Sequence, residues 1–452
     1  MTLRIILVVA ALARAVDPWT VLRGFPPLRH VEDEKPWLPK VTLRGLRAAF
    51  SGGDARLQAF MRQLEAGAPV TVVAVGGSVT AGVMCTEGKR ALQACCWSRR
   101  VFDWISEAAN GTATYRNVAR AGTTSTGFLP AAAHVVRQAL ADAASSAGER
   151  VLLFVDFSVN DSFEYGKYHE DHHGYARLKG TGLVAERLVQ EILAAAPRVA
   201  VVPLVMPCPA CETTASTYGK VYAHYALPAV DLTRVPGNWW EFHQLFAEVV
   251  VWALATAARE AAPRRAAALG PYHKPADLAK FATCGNGTYH SAFGAYRGPC
   301  DRAPGVAAAA GCVVAEDRPG KPAYVLRGPN AHVAFALDFL AESPALSVSY
   351  VRSYENVGTA TLSLNGAHYD LEGLRTDSRT TQTHSEFFNV ALPKSLDQTT
   401  STSVAEAKRM GRPLGDAGAK GFGVRAGTRH LPLTIRLAAG APKFGLVSVA
   451  AC

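Results

Sequence analysis

The first half of the chain alternates short runs of apolar, mostly β-branched residues with stretches that carry the period of amphipathic helices. The predicted strands are residues 70–75, 114–118, 151–157, 199–205 and 226–232. A strand with one solvated face alternates apolar and polar residues, whereas near-continuous apolar strands are typical of a parallel sheet covered by helices on both faces. We therefore predict an α/β fold whose ligand site lies beyond the carboxyl ends of the strands.

The apolar pattern changes in the second half. Around residues 258–277 the composition shifts to alanine, arginine and proline, which indicates a linker. Beyond it, apolar residues recur at every second position, as in 333–337 and 346–350. Asn365-Gly366 directly follows another such run and favours a tight hairpin turn. This part is predicted to be an antiparallel β-sandwich.

The N-terminus, MTLRIILVVAALARA, has the features of a secretory signal peptide. Arg4 supplies a positive charge, the apolar stretch after it is too short to span a bilayer, and Ala13-Arg14-Ala15 fits a cleavage site between small residues. A buried first strand is the alternative. The predicted organisation is a signal peptide (1–15), an N-terminal extension (16–66), the α/β domain (67–260), a linker (261–290) and the β-sandwich (291–452).

The nine cysteines fit an exported chain, in which they are mainly disulfide partners. Cys208 and Cys211 form a Cys-x-x-Cys pair. Without a second pair or matching histidine spacing, a local disulfide is favoured over a redox or zinc site. Because nine is odd, one thiol is left over or pairs with another chain. Asn110 and Asn286 stand in Asn-x-Thr sequences and are candidate glycosylation sites.

Charge and hydropathy argue against two further classes of protein. The chain has 47 Lys and Arg against 37 Asp and Glu, a net charge of +10, but no run of five like charges. The charge is therefore expected to be spread over the surface, and nucleic acid is not an expected partner. The apolar stretch 245–258 contains Glu248 and is shorter than a membrane span, so it is predicted to be a buried helix. We expect a soluble, exported protein with no membrane span in the mature chain.

Small polar residues follow the first predicted strand. Residues 76–82 read GGSVTAG, in which the glycines permit a tight turn and Ser78 stands at the start of a helix, in the positive field of its N-terminus. That field stabilises an alkoxide or a tetrahedral oxyanion. A serine that only caps the helix is the alternative, and a phosphate-binding loop is disfavoured because no Gly-Lys-Ser/Thr follows.

Two further strand ends carry hydrogen-bond donors. Gly122 follows the second strand and offers a backbone N–H, and Asn160 follows the third strand and offers a side-chain amide. Because parallel strands share one carboxyl edge, we expect these groups to meet near Ser78. The N–H groups of Ser78 and Gly122, together with the Asn160 amide, would form an oxyanion hole.

These residues resemble the sequence blocks of the SGNH (GDSL-type) hydrolase superfamily. GGSVTAG resembles the nucleophile block, residues 117–125 (NVARAGTTS) the Gly block and 158–161 (SVND) the Asn block, with Ser158 where Gly is usual. Over residues 45–452 the chain also resembles secreted algal and protist proteins of this superfamily. The resemblance implies a flavodoxin-like three-layer α/β/α sandwich with five parallel strands, and acyl transfer to water through an acyl-enzyme on Ser78.

The fourth block, Asp-x-x-His-Pro before the last helix, is not found. Val235-Pro236 stands where His-Pro is expected. One hypothesis makes His243 the base, oriented by Glu241 or Asp231. A second assigns the base to the loop 169–173 (HEDHH), which closely follows the Asn block. In a third hypothesis the base is absent and the chain is an impaired hydrolase.

The predicted function is that of a secreted serine esterase that hydrolyses O-acyl esters, acetyl esters among them, on glycans. A glycan is expected as the substrate because the chain is predicted to be exported, because it carries an additional β-domain, and because such substrates are common in the superfamily that it resembles. The expected partner is an acylated glycan or another ester, with no cofactor and no metal. A glycan-binding protein on an impaired scaffold and an acyltransferase are alternatives. Tyr350 and Tyr354 could stack on sugars or pack inside the protein.

Overall fold

The computed structural model describes most of the chain from residue 43 onward. The described residues are 43–83, 85, 95–143, 148–165, 177–208, 211–235, 243–260, 271–278, 288–292, 297–318, 321–341, 344–374, 381–390 and 422–451. The predicted signal peptide, the loop 169–173, Glu241, Asn286, Cys284 and Cys452 lie outside them.

The first half forms a parallel sheet flanked by helices, as predicted. Its five described strands lie in the order β2-β1-β3-β4-β5, which is the flavodoxin-like order. The strands are β1 (Thr71–Gly76), β2 (Thr114–Asn117), β3 (Val151–Asp156), β4 (Ala200–Val205) and β5 (Val230–Asp231). The described helices are α1 (Leu43–Ala49), α2 (Ala55–Glu65), α3 (Trp97–Ala108), α4 (Ser125–Phe128), α5 (Ala132–Asp142), α6 (Ser158–Tyr165), α7 (Arg177–Ala195), α8 (Cys211–His224), α9 (His243–Arg259) and α10 (Pro275–Leu278). Each predicted strand overlaps an observed strand.

Side chains of β1 alternate between two separate apolar cores. Val72 faces a core that contains Trp97 and Trp252 from α3 and α9. Val73 faces a second core, on the other side of the sheet, that contains Ile192 from α7. Every position of β1, β3 and β4 is buried. A strand buried on both faces needs an apolar residue at each position, which explains the continuous runs in the sequence and confirms the three-layer α/β/α fold.

Helix α9 is buried at every position from His243 to Ala255, which confirms the buried helix predicted for 245–258. Helices α1 and α2 pack on the same core through Leu46 and Phe60, so this part of the predicted N-terminal extension contributes to the α/β core. Within the described part of the chain, no helix is both long enough and apolar enough to cross a membrane.

The second half folds into two antiparallel sheets, as predicted. In the described residues one sheet has the order β15-β12-β17-β10-β9-β7, with β6 paired to β17, and the other has the order β14-β13-β16-β11-β8. The strands are β6 (Thr288–Ser291), β7 (Gly298–Pro299), β8 (Val306–Ala310), β9 (Cys312–Arg318), β10 (Lys321–Leu326), β11 (His332–Phe339), β12 (Ala345–Arg352), β13 (Thr359–Leu364), β14 (Ala367–Glu372), β15 (Gln382–Asn389), β16 (Thr428–Leu437) and β17 (Phe444–Ala451). Both sheets contribute to one apolar core, which includes Phe335, Leu346 and Phe444.

Asn365-Gly366 forms the predicted hairpin turn between β13 and β14. Leu364 pairs with Ala367 across it, and the two turn residues have φ angles of +49° and +78°. Two consecutive positive φ angles are the mark of a type I′ turn, whose twist matches that of the strands it joins. Asn and Gly tolerate this conformation, so the turn was readable from the sequence.

The two tyrosines considered as sugar contacts differ in exposure. Tyr350 is 1% exposed and stacks on Phe444 in the sandwich core, with ring centroids 5.3 Å apart. The suggestion that Tyr350 stacks on a sugar is therefore wrong. Tyr354 is 38% exposed.

The described cysteines form disulfides between Cys85 and Cys95, Cys208 and Cys211, and Cys300 and Cys312. The prediction of a local disulfide in the Cys-x-x-Cys pair is confirmed. Cys96 is buried as a thiol, with its Sγ 3.3 Å from Ser98 Oγ.

Candidate active site

Ser78 lies in a turn at the carboxyl end of β1. The N–H of Gly77 donates to Asp156 O (2.9 Å), and the N–H of Ala81 donates to Gly77 O (3.0 Å). A single turn with helical hydrogen bonding therefore follows the strand directly. The side chain of Ser78 is half-buried at this edge of the sheet.

The two glycines before Ser78 leave no room for a side chain. A Cβ on Gly76 would lie 2.3 Å from Asp156 O, and a Cβ on Gly77 would lie 2.8 Å from Asn160 Nδ2. Real Cβ atoms do not come this close to other atoms, so only glycine lets the ends of β1 and β3 meet here. The contact at Gly77 also places the Asn160 carboxamide against the backbone immediately before Ser78.

Asn160 is joined to the loop that carries Gly122. It lies in the first turn of α6, is 6% exposed, and its Nδ2 donates to Thr123 O (2.8 Å). Because a carbonyl oxygen only accepts, the nitrogen of the amide must face this loop. Gly122, directly before Thr123, has a φ of +76°, a conformation that favours glycine. The structure therefore brings Ser78, Gly122 and Asn160 onto adjoining segments.

Helix α6 fixes the same loop a second time through Asp161. The N–H of Ser125 donates to Asp161 Oδ1 (2.9 Å), and the hydroxyl of Tyr218 donates to Asp161 Oδ2. Asp161 is fully buried. Two neighbouring residues of the SVND segment thus hold the Thr123 carbonyl and the Ser125 N–H. The amide of Asn160 could be predicted from its place after a strand, whereas no sequence pattern indicates this role of Asp161.

The three N–H groups expected to form an oxyanion hole are all candidates to bind a ligand. In the described part of the chain, neither the Ser78 N–H nor the Gly122 N–H has an acceptor within the protein. The Asn160 amide has a second N–H besides the one that donates to Thr123. Ser78 and Gly122 are half-buried, and N–H groups at such a position beside a serine are suited to donate to a bound oxyanion.

Asp156 connects the turn that carries Ser78 to the neighbouring strands. It is 2% exposed, and its carboxylate accepts from Thr80 Oγ1 (2.7 Å) and from Ser158 Oγ (3.0 Å). Ser158 Oγ accepts in turn from Met206 N (2.8 Å) beyond the end of β4. Burial raises the pKa of Asp156 to about 6, against the opposing effect of the two hydroxyl donors. Ser158 therefore links β3 to β4.

His243 is in contact with backbone groups and not with Ser78. It begins the described part of α9 and is 4% exposed; its Nδ1 accepts from Trp97 N (3.2 Å), and its Nε2 lies 3.4 Å from Val83 O. Because Nδ1 accepts from an amide, the proton of the neutral ring is on Nε2 and faces Val83. Burial lowers the pKa of His243 to about 4. His243 would have to change these partners to accept a proton from Ser78, and its role as the base stays a prediction.

Asp231, expected to orient that base, also has other partners. It ends β5, where Oδ1 accepts from Thr233 N (3.1 Å) and Oδ2 accepts from Arg234 Nε (2.8 Å). These contacts cap a short 3-10 turn. Among the described residues, no hydrogen bond or ion pair joins Asp231 to His243.

The substitution His243→Asn is expected to remove a pH-dependent part of the stability. The folded protein holds the pKa of His243 at about 4, below its ordinary value of 6.5, so the unfolded chain takes up a proton first as the pH falls. The stabilisation is fully present above about pH 6.5 and is lost as the pH falls towards 4. A shift of this size corresponds to about 3 kcal/mol. The free energy of unfolding, measured with urea between pH 4 and 7.5, should depend less on pH in the variant than in the wild type.

Two features allow the variant to be compared directly with the wild type. The raised pKa of Asp156 gives the stability a pH dependence of the opposite sign, because its contribution is lost as the pH rises through about 6. Asp156 is present in both proteins, so this contribution does not affect the difference between them. The Oδ1 of the introduced asparagine can replace the histidine Nδ1 as the acceptor for Trp97 N–H. If the free energy of unfolding had the same dependence on pH in both proteins, His243 would not be a buried neutral histidine.

Comparison with known proteins shows the fold and leaves the family open. No family model matches the sequence, and no curated protein matches it. Among solved structures, the chain resembles a two-domain esterase active on acetylated mannans, co-crystallised with mannopentaose, with a TM-score of 0.53 and 16% identity over 90% of this chain and 97% of that one. Another crystal structure described as a two-domain esterase active on acetylated mannans gives a TM-score of 0.52 and 17% identity with the same coverage. The likeness extends over both parts of the chain.

Proposed function

We propose that the chain is a secreted serine esterase of the SGNH type that hydrolyses O-acyl esters, acetyl esters among them, on glycans. The observation that carries the proposal is the set of open N–H donors from Ser78, Gly122 and Asn160 beside a half-buried serine at the carboxyl edge of the sheet. The fold similarity to an esterase active on acetylated mannans supports a glycan ester as the substrate.

In the proposed reaction, Ser78 Oγ attacks the ester carbonyl carbon and its proton passes to a base. The carbonyl oxygen becomes an oxyanion that accepts hydrogen bonds from the three donors. Collapse of this intermediate breaks the bond to the sugar oxygen, which takes the proton and leaves as a hydroxyl. Water then attacks the acyl-enzyme and releases the carboxylic acid and Ser78. His243 and the histidines of the loop 169–173 are the candidates for the base.

Secretion is part of the proposal. It is supported by the signal-peptide features of residues 1–15 and by the disulfides in both halves of the chain, because disulfides persist in oxidising compartments. Asn110 is exposed in the turn after α3, which suits its proposed glycosylation.

The experiment is a combined assay of turnover and covalent labelling. The mature protein is incubated with p-nitrophenyl acetate and with acetylated mannan, and acetate release is followed. A fluorophosphonate probe is then added and the intact mass is measured. We expect hydrolysis of both substrates and one label per chain, on Ser78. Absence of both hydrolysis and label would overturn the proposal.

A glycan-binding protein on an impaired hydrolase scaffold is the second candidate. It is favoured by one observation: in the described residues, no histidine makes a hydrogen bond to Ser78 Oγ. Binding on a glycan array without labelling of Ser78 would support this function, and stoichiometric labelling would exclude it.

A further inference from the structure

Strand β15 of the β-sandwich touches the loop that carries Gly122. The main-chain N–H of Thr383 donates to Gly122 O at 2.9 Å, and Thr123 and Thr383 form a parallel bridge. Gly127, in the short helix α4, lies so close to Thr383 that a Cβ there would be 3.2 Å from Thr383 O and 3.3 Å from its Cγ2. The contact is therefore both hydrogen-bonded and closely packed.

This contact uses the outer side of an edge strand. In the described sheet β15 is the last strand and pairs with β12, where Val351 lies opposite Thr383. Along an antiparallel edge strand, every second residue turns its N–H away from its neighbour. Thr383 is such a residue, because its N–H reaches Gly122 in the other domain. The α/β domain thus completes the exposed side of β15.

The two domains also interact electrostatically near this contact. The charge of Glu316 on β9 opposes the lowering by burial of the pKa of Arg120, two residues before Gly122. The ring centroids of His134 of α5 and Tyr289 of β6 lie 5.3 Å apart. The β-sandwich therefore contacts the α/β domain at more than one point.

The loop is held from two sides at consecutive peptide groups. Thr383 of the β-sandwich holds the Gly122 carbonyl, and Asn160 of the α/β domain holds the Thr123 carbonyl. Together they fix the orientation of the segment that presents the Gly122 N–H.

We propose that Thr383 is a positioning residue for the oxyanion hole and that the β-sandwich is, for this reason, a structural part of the active site. The proposal rests on the function proposed above. It assigns the β-domain a role in turnover that is separate from any binding of sugar.

The test compares Thr383→Pro with Thr383→Val in the full mature chain. Proline removes the N–H but is tolerated on an edge strand whose N–H points outward, whereas valine keeps both the N–H and the methyl group that faces Gly127. For Thr383→Pro we expect kcat on p-nitrophenyl acetate to fall at least tenfold with KM within about threefold. Its affinity for phenylboronic acid, which forms a tetrahedral adduct with a serine, should fall by a similar factor. Thr383→Val should stay within about twofold of the wild type in each.

A second pair of variants leaves the strand intact, in case Thr383→Pro does not fold. In Gly127→Ala the new methyl group crowds Thr383 from the α/β domain. The matched control is Gly219→Ala in α8, because a Cβ there has no atom within 4 Å. We expect Gly127→Ala to lower kcat and boronic acid affinity in parallel, and Gly219→Ala to leave both unchanged. Wild-type values for Gly127→Ala together with Thr383→Pro would overturn the proposal.

Hydrogen exchange separates this proposal from the proposed function. Backbone amides of residues 120–126 should exchange faster in Thr383→Pro than in the wild type, whether or not the protein hydrolyses an ester. Suppose that exchange is faster in Thr383→Pro but the wild type neither hydrolyses an ester nor takes the fluorophosphonate label. Thr383 then holds the loop, and the proposed esterase function is wrong. If exchange is unchanged in Thr383→Pro while the wild type is an active esterase, only the positioning role of Thr383 is wrong.

Discussion

Replacing Ser78 with alanine is expected to lower kcat on p-nitrophenyl acetate by at least about four orders of magnitude, because the acyl-enzyme can no longer form. The half-buried hydroxyl lies at the end of β1, in a turn held by Gly77 and Asp156, and alanine fits this turn without new contacts. Stability should therefore change little. Stopped-flow release of nitrophenolate and the urea midpoint measure the two effects separately, and the fluorophosphonate label should disappear with the activity.

The chain offers a matched control in a second serine. Ser363 Oγ lies 2.8 Å from His368 Nδ1 on the hairpin of β13 and β14, and is thus a serine with a histidine partner. His368 is exposed, and this pair belongs to the hairpin rather than to the sheet edge that carries Asn160. We expect Ser363→Ala to keep full activity and full labelling. Activity that survives Ser78→Ala and is lost with Ser363→Ala would move the active site to the hairpin.

The sheet could be predicted because its pattern is set by local rules. Val72 and Val73 face opposite cores, so both must be apolar, and the same requirement at each position of β1, β3 and β4 produces the continuous apolar runs in the sequence. The positions of Ser78 and Asn160 follow from the topology, since parallel strands bring their carboxyl ends to one edge. These features need no knowledge of how distant segments pack.

The parts of the site that depend on such packing could not be read from the sequence. His243 accepts a hydrogen bond from Trp97, 146 residues earlier in the chain, because α9 docks beside α3. Thr383 stands in a run of polar residues at the start of β15, QTHSE, which carries no sign of a special role. Its contact with Gly122 exists only because the two domains meet at this edge. A small signal was available in the pair Gly76-Gly77, where two glycines in succession indicate a close approach of other backbone or side-chain atoms.

Asn160→Ala is expected to lower kcat by about 10²–10³, which corresponds to about 3 kcal/mol of transition-state stabilisation. The change removes one donor of the proposed oxyanion hole and also the bond that holds Thr123 O. An oxyanion develops only in the transition state, so KM should stay within about threefold and the loss should fall on kcat. Steady-state kinetics with p-nitrophenyl acetate measure both constants.

Gln58→Ala is the matched control, because it also removes a buried carboxamide that donates to main-chain oxygens, here Ala257 O (3.3 Å) and Glu260 O (2.8 Å). Gln58 lies on α2 and packs against the end of α9, so its loss should lower the urea midpoint and leave kcat within about twofold. If the two variants lost activity in proportion to their lost stability, Asn160 would be a packing residue and not an oxyanion donor. If Asn160 is an oxyanion donor, kcat should fall in Asn160→Ala and not in Gln58→Ala. It should fall further in Asn160→Asp, because a carboxylate at this position repels the oxyanion.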